Sequence, residues 1–107
     1  MIIQFDAAHN VYAKEEMKAP LIDLLTDKLN RFSQHIARLE VHLADENGNK
    51  EGMNDKRCLL EAHIEGMPHL VVKNHANTYE KAVDGAVEKL LGSLKSMLGR
   101  LEDGHKH

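Results

Sequence analysis

The amino-acid sequence predicts an α+β fold, a two-layer βαβββα sandwich with two helices on one face of a four-stranded mixed sheet. Three observations lead there. Residues 36–43 and 58–64 nearly alternate apolar and polar side chains, as strands with one buried face do. Tyr79, Val83, Ala86, Leu90, Leu94, Met97 and Leu101 step by 4, 3, 4, 4, 3 and 4, the spacing of a single helical stripe. An earlier segment carries a second stripe, and both need one sheet face to cover them.

Taken in order, residues 2–6 read as a short strand with Ile3 and Phe5 toward the core. Residues 7–13 are a connection. From Lys14 to about His35, apolar residues fall at Leu21, Ile22, Leu25, Leu29 and Phe32, which are helical steps. Pro20 is awkward in a helix interior, so the helix either starts there or runs from Glu15 with a kink. The central hairpin follows. Leu39, Val41 and Leu43 point inward, and Arg38, Glu40 and His42 outward; Cys58, Leu60, Ala62 and Ile64 repeat the inward pattern, with Glu61, His63 and Glu65 opposite. Between them, residues 45–56 are rich in Asn, Asp and Gly and form a long polar loop.

The expected register sets Leu43 opposite Leu60, Val41 opposite Ala62 and Leu39 opposite Ile64. On the outer face it pairs His42 with Glu61, Glu40 with His63 and Arg38 with Glu65, all complementary. A shift by two would set Glu40 against Glu61, so the first register is preferred. Gly66-Met67-Pro68 makes the next reversal, and residues 69–73 form the fourth strand. Burying Leu70 and Val72 then places Val71 near His63 and Lys73 near Glu61. Thr78, or Asn77, caps the closing helix. Gly85, Gly92 and Gly99 recur every seven residues on it, each at a cost of about 1 kcal/mol relative to Ala. Close packing against a neighbour would explain them. The helical crossover allows strands one and two to lie parallel; the hairpins make the other pairs antiparallel.

Length and composition bound the function. The 107 residues suggest one domain over 1–101, with 102–107 as a frayed tail. At 42% hydrophobic and 29% charged, the composition is that of an ordinary soluble globular protein. No apolar run spans a bilayer, and the charges of residues 14–18 interrupt any N-terminal signal; a cytoplasmic protein with no membrane partner is expected. The lone cysteine, Cys58, falls on the apolar side of its strand and reads as a small buried hydrophobe. The net charge of -3 gives no bulk basic footprint, so nucleic-acid binding would rest on a local patch.

The chemistry is that of binding, not catalysis. Asp45-Glu46-Asn47-Gly48-Asn49 resembles the start of a calcium loop, but Lys50 and Lys56 stand where Gly and Glu are needed. His42, His63 and His69 share the open sheet face and read as a solvated charge mosaic beside carboxylates; a divalent-metal site there is the minor alternative. No metal or cofactor is expected. There is no phosphate loop, no nucleophile elbow and no carboxylate in an apolar setting, so no catalytic residue is assigned. The chain's aromatics are Phe5, Tyr12, Phe32 and Tyr79, too few on the open face to stack bases. Candidate RNA contacts are basic: Lys28 and Arg31 on the first helix, Lys81, Lys89, Lys95 and Arg100 on the second, and Lys50, Lys56 and Arg57 at the loop tip and exit. Asp27, Glu80, Asp84 and Glu88 are interspersed, so an ordinary solvated helix layer is an equally physical reading.

The element order, the helix segment AVDGAVEKL over residues 82–90 and the hairpin VHLADENGNKEGMNDKRCLLEAHIEG resemble the ribosome hibernation promoting factors, also called the ribosome-associated inhibitor or sigma-54 modulation protein family. The resemblance covers almost the whole chain. It implies a βαβββα domain that binds the small ribosomal subunit and its RNA in the channel of messenger and transfer RNA, and so inhibits translation under stress. Lys28 and Arg31 match basic positions on the family's first helix, and Lys89 and Lys95 match positions on its second. The family's dense basic run at the end of that helix is absent; Gly92, Ser93, Ser96 and Gly99 stand there, followed by Glu102 and Asp103. Fewer phosphate contacts imply weaker, less salt-sensitive binding. The C-terminal dimerisation domain of long members is not expected. The alternative is a protein-interaction module that keeps the fold with weak or no RNA binding and self-associates weakly along an exposed sheet edge.

Overall fold

Alternation along the strands and the helical stripes resolve into one sheet with two helices on a single face. The computed structural model describes residues 1–7, 15–46 and 55–104, and the side chains of 1–6, 17–46 and 55–99. The elements are β1 (Ile2–Ala7), α1 (Glu15–Leu29), a 3-10 turn (Asn30–Phe32), β2 (Ile36–Asp45), β3 (Lys56–Ile64), β4 (Leu70–Ala76) and α2 (Tyr79–Gly104). The sheet order is β1-β2-β3-β4, with β1 parallel to β2 and the other pairs antiparallel. This is the expected βαβββα arrangement. The loop tip with Lys50 lies outside the described residues.

The core fills the space between sheet and helices. Leu39, Val41 and Leu43 of β2 and Cys58, Leu60, Ala62 and Ile64 of β3 are buried against Leu21, Leu25 and Leu29 of α1 and Val83, Ala86, Leu90 and Leu94 of α2. Two details differ from the sequence reading. In α1 the buried stripe steps by fours through Leu21, Leu25 and Leu29, while Ile22 faces solvent. In α2, Ala82 and Val87 are buried as well, because this helix touches both the sheet and α1. Helix α1 runs from Glu15 through Pro20, the longer of the two extents considered. Thr78 caps α2: its Oγ1 accepts the Lys81 N–H at 3.1 Å. Burial pushes the Cys58 thiol up to about 12, which leaves it without thiolate character at neutral pH.

The register of the central hairpin differs from the expected one by two residues. Leu43 pairs with Cys58, Val41 with Leu60, Leu39 with Ala62, and Glu40 lies directly opposite Glu61. A two-residue slip leaves the same side chains buried, so the core cannot choose between the two registers. The polar end chooses. Both strands extend, Asp45 pairs with Lys56, and the Glu46 N–H donates to the Asp55 carbonyl at 2.9 Å. The Glu40–Glu61 apposition is relieved diagonally, since the His63 Nε2–H donates to Glu40 Oε2 at 2.6 Å and Arg38 Nη2 lies 3.8 Å from the same oxygen. At the other end the register shifts between Ile36 and Arg38. That bulge turns Ile36 into the core although Arg38, two residues on, faces outward.

Strand β4 is offset in the same sense: Val71 pairs with Glu61 and Lys73 with Leu59, not with His63 and Glu61. It also runs on to Ala76, three residues past the expected end. The β3–β4 turn closes through the Met67 N–H donating to the Ile64 carbonyl at 3.1 Å, and Gly66 sits there at φ 72°, a conformation glycine adopts freely.

Of the three heptad-spaced glycines, only Gly85 meets a neighbour. A methyl group at Gly85 would overlap the Asn74 carboxamide, whose Nδ2 donates to the Ala82 carbonyl at 3.3 Å. Gly92 and Gly99 face open space. Gly85→Ala should therefore lower stability by about 1 kcal/mol, a crowding penalty exceeding the helix-propensity gain. Gly92→Ala should raise it by up to about 1 kcal/mol. Urea unfolding of the two variants measures both.

Candidate nucleic-acid interface

The cations picked out by sequence fall into three groups. The first is occupied within the fold. Lys56 points to the helix side of the sheet, where its ammonium lies 2.9 Å from Asp45 and 3.4 Å from the nearly buried Asp55, with the Tyr79 ring centroid 5.8 Å away. Its hydrogen bond to Asp45 raises its pKa. Lys28, in the last turn of α1, bridges to α2: Nζ is 2.7 Å from Glu88 and 3.9 Å from Asp84. This bond raises the Lys28 pKa and lowers that of Glu88. Arg57 lies 3.6 Å from Glu46 on the open face. The Lys89 ammonium donates to the Lys73 backbone carbonyl at 2.8 Å.

The second group faces water. Arg31, Lys81 and Lys95 are exposed and form no salt bridge among the described residues. Arg31 lies over the Phe32 ring at 5.4 Å. The third group, Lys50 and the Arg100 side chain, lies outside what the structure describes. The helix layer is thus of mixed sign: Asp23, Asp27, Glu80, Asp84 and Glu88 share it with these cations. It can hold a few phosphates by charge, and among the described residues it offers no aromatic platform.

The opposite face carries a feature the sequence reading reached only in part. Four histidines there each meet a carboxylate: His42 with Asp6 at 3.2 Å, His63 with Glu40 at 2.6 Å, His69 with Glu61 at 3.4 Å and His75 with Glu46 at 2.8 Å. The proximity of His63 to Glu40 was expected as a directly opposed pair and occurs diagonally. His75 was missed, because the fourth strand was ended at Lys73. The inward alternation continuing through Asn74 and Ala76 was the available signal. Glu40 and Glu46 both have lowered pKa values, owing first to the hydrogen bonds from His63 and His75.

Fold and surface together define a small α+β protein with the exposed cations Arg31, Lys81 and Lys95 on the helix layer and a histidine–carboxylate lattice on the bare sheet. The chain belongs to the family described as Sigma 54 modulation protein / S30EA ribosomal protein, whose model matches residues 8–102. Two solved structures share the fold. A ribosomal subunit interface protein from Coxiella burnetii superposes with a TM-score of 0.72 at 17% identity, over 92% of this chain and 99% of that one. The N-terminal domain of Protein Y from Thermus thermophilus gives 0.65 at 18% identity, over 91% and 99% respectively. No curated protein matches the chain.

Two outcomes test this reading of the charges. Lys56→Met should lower the urea midpoint, since it removes the ammonium beside the buried Asp55, whereas Lys95→Met should leave it unchanged. Acid should also destabilise the fold through Glu40, Glu46 and Glu88. Each has a folded pKa below the ordinary glutamate value, so its stabilisation is complete above that ordinary value and is lost as pH falls through the lowered one. Urea midpoints between pH 6 and pH 3 (roughly the span that brackets these groups) should fall more steeply below the ordinary carboxylate pKa than above it, and less so in Glu40→Gln.

Proposed function

We propose that this chain is a cytoplasmic ribosome-associated factor that binds small-subunit ribosomal RNA and occludes the decoding channel, inhibiting translation by blockage without catalysis. It would serve ribosome hibernation in the stress response. The observation that carries the reading is the family match over residues 8–102, with the fold it implies in place. The Coxiella burnetii structure is named as a ribosomal subunit interface protein, which agrees with it. No helix among the described residues is long and apolar enough to cross a membrane.

The surface charge shapes the proposal. Arg31, Lys81 and Lys95 are ready for phosphates. Lys28 and Lys89 must first leave Glu88 and the Lys73 carbonyl. Lys56 and Arg57 serve the hairpin before any ligand. The three ready cations among the described residues would contribute about -2 to -3 to the slope of log K against log salt. A protein-interaction or self-association module is the second reading, and the pairing of Lys28 and Arg57 with acids favours it.

Co-sedimentation with small ribosomal subunits, at low and near-physiological salt, separates the two. Salt-sensitive binding up to one copy per subunit is expected. Replacing Lys28, Arg31, Lys89 and Lys95 together by Glu should abolish it while the far-ultraviolet spectrum and urea transition persist. Glu88→Gln should strengthen it, because it leaves Lys28 only the longer contact to Asp84 and removes an anion. Undiminished binding by the quadruple variant would refute the surface. No binding by the unaltered chain at low salt, with a mass that rises with concentration, would establish the interaction module instead.

A further inference from the structure

The helix layer meets a polyanion with separated charges, not with a continuous track. Lys81 and Lys95 both lie on α2 and are exposed. Their separation in sequence sets them about 21 Å apart along the helix axis, turned only about 40° from each other. Glu88 stands midway between them on the same line and is exposed as well. Its pKa is lowered first by the hydrogen bond from Lys28, and Lys95 acts in the same direction, so the anion is fixed there at neutral pH. Asp84 lies one turn earlier, 3.9 Å from Lys28. Along α2 the exposed charges therefore run positive, negative, positive, and Lys28 faces two carboxylates at the centre. Arg31, in the turn after α1, is the third ready cation.

This order of charges discriminates between forms of RNA. A single strand laid along α2 would carry its phosphates over Glu88 and Asp84. An A-form duplex instead presents phosphates on separate strands with a groove between them, and it is recognised by that shape and by its backbone. Two cations set apart, with an anion between, match such a surface.

The aromatic side chains point the same way. Single strands are held by base stacking on aromatic rings as well as by charge. Phe32 is buried, and Phe5 and Tyr79 are partly buried against the core. Tyr12 lies outside the described residues. On the open sheet face, His42, His63, His69 and His75 each lie within 3.4 Å of a carboxylate, which would repel the phosphate of any base stacked there. Binding by charge alone also favours a duplex. Each contact contributes about 0.9 to the salt slope on a duplex and about 0.7 on a single strand.

We propose that the helix layer takes RNA as an A-form duplex, with Lys81 and Lys95 on separate phosphate strands, and that Glu88, facing the groove between them, is the residue that selects against single strands. This rests on the reading that the ligand is RNA and specifies the form of that RNA.

The test is fluorescence anisotropy of the full chain with two labelled probes, an RNA duplex of about 16 base pairs and an oligouridine of the same length. For three contacts the salt slopes should be about -2.7 on the duplex and about -2.1 on the single strand, which at roughly 50 mM salt is a preference of about 5-fold or more for the duplex. Lys81→Met and Lys95→Met should each lower the duplex slope by about 1. Glu88→Gln should strengthen oligouridine binding more than duplex binding and so narrow the preference, which a merely structural role for Glu88 would not do. Equal or tighter binding of oligouridine by the unaltered chain would overturn the proposal. So would absence of duplex binding at low salt, or a preference unchanged in Glu88→Gln with its urea transition intact. Failure of the ribosomal reading is distinguishable: a chain that prefers the duplex yet does not co-sediment with small subunits keeps this inference and loses that one.

Discussion

The pairing of β2 with β3 is the constraint on which the other contacts rest. It fixes the diagonal contact of His63 with Glu40 on the open face, and it places Lys56 beside Asp45, opposite Ala76 of β4 and near the Tyr79 ring at the start of α2. Its buried side is indifferent to a slip of two, because Leu, Val, Ala and Cys alternate along both strands. Discrimination falls to polar groups: Asp45 with Lys56 at one end, the Ile36–Arg38 bulge at the other, and Glu40 held between His63 and Arg38. Here the apolar face supplies the driving force for association, and the charged face supplies its register.

Most of the architecture was legible in the sequence. Period-two alternation and helical stepping are properties of single segments, and they identified both long helices, all four strands and the two-layer arrangement. What escaped depends on more than one segment. The register was misjudged because directly opposed charges were weighed and diagonal ones were not. The bulge was hidden in the phrase Ile36-Ala37-Arg38-Leu39, whose broken alternation was passed over. The shared spacing of Gly85, Gly92 and Gly99 suggested one cause for three residues, yet only Gly85 is approached by another chain segment.

The candidate interface was legible as a list of cations and illegible as a surface. Sequence shows that Lys28 and Glu88 exist, but the crossing of α1 over α2 is what joins them at 2.7 Å. Lys56 looked like loop chemistry and belongs to the edge of the core. Charge counting along a chain treats every lysine alike, while the fold assigns some to holding helices together and leaves Arg31, Lys81 and Lys95 for solvent. The family relation covers the same elements, and the number of uncommitted cations sets how strongly a polyanion can be held by them.

The Lys89 contact ties two surfaces into one equilibrium. Strand β4 is an outer strand of the sheet, and the Lys89 ammonium donates to its Lys73 carbonyl. One ammonium on this short tether cannot serve a distant anion and that carbonyl together. Any anion that draws Lys89 away takes one donor from the backbone of the outer strand. The lysine is in that sense a latch: occupation of the helix layer and loss of that bond on the outer strand are linked, and by reciprocity any donor that takes its place on the carbonyl would release Lys89 toward an anion.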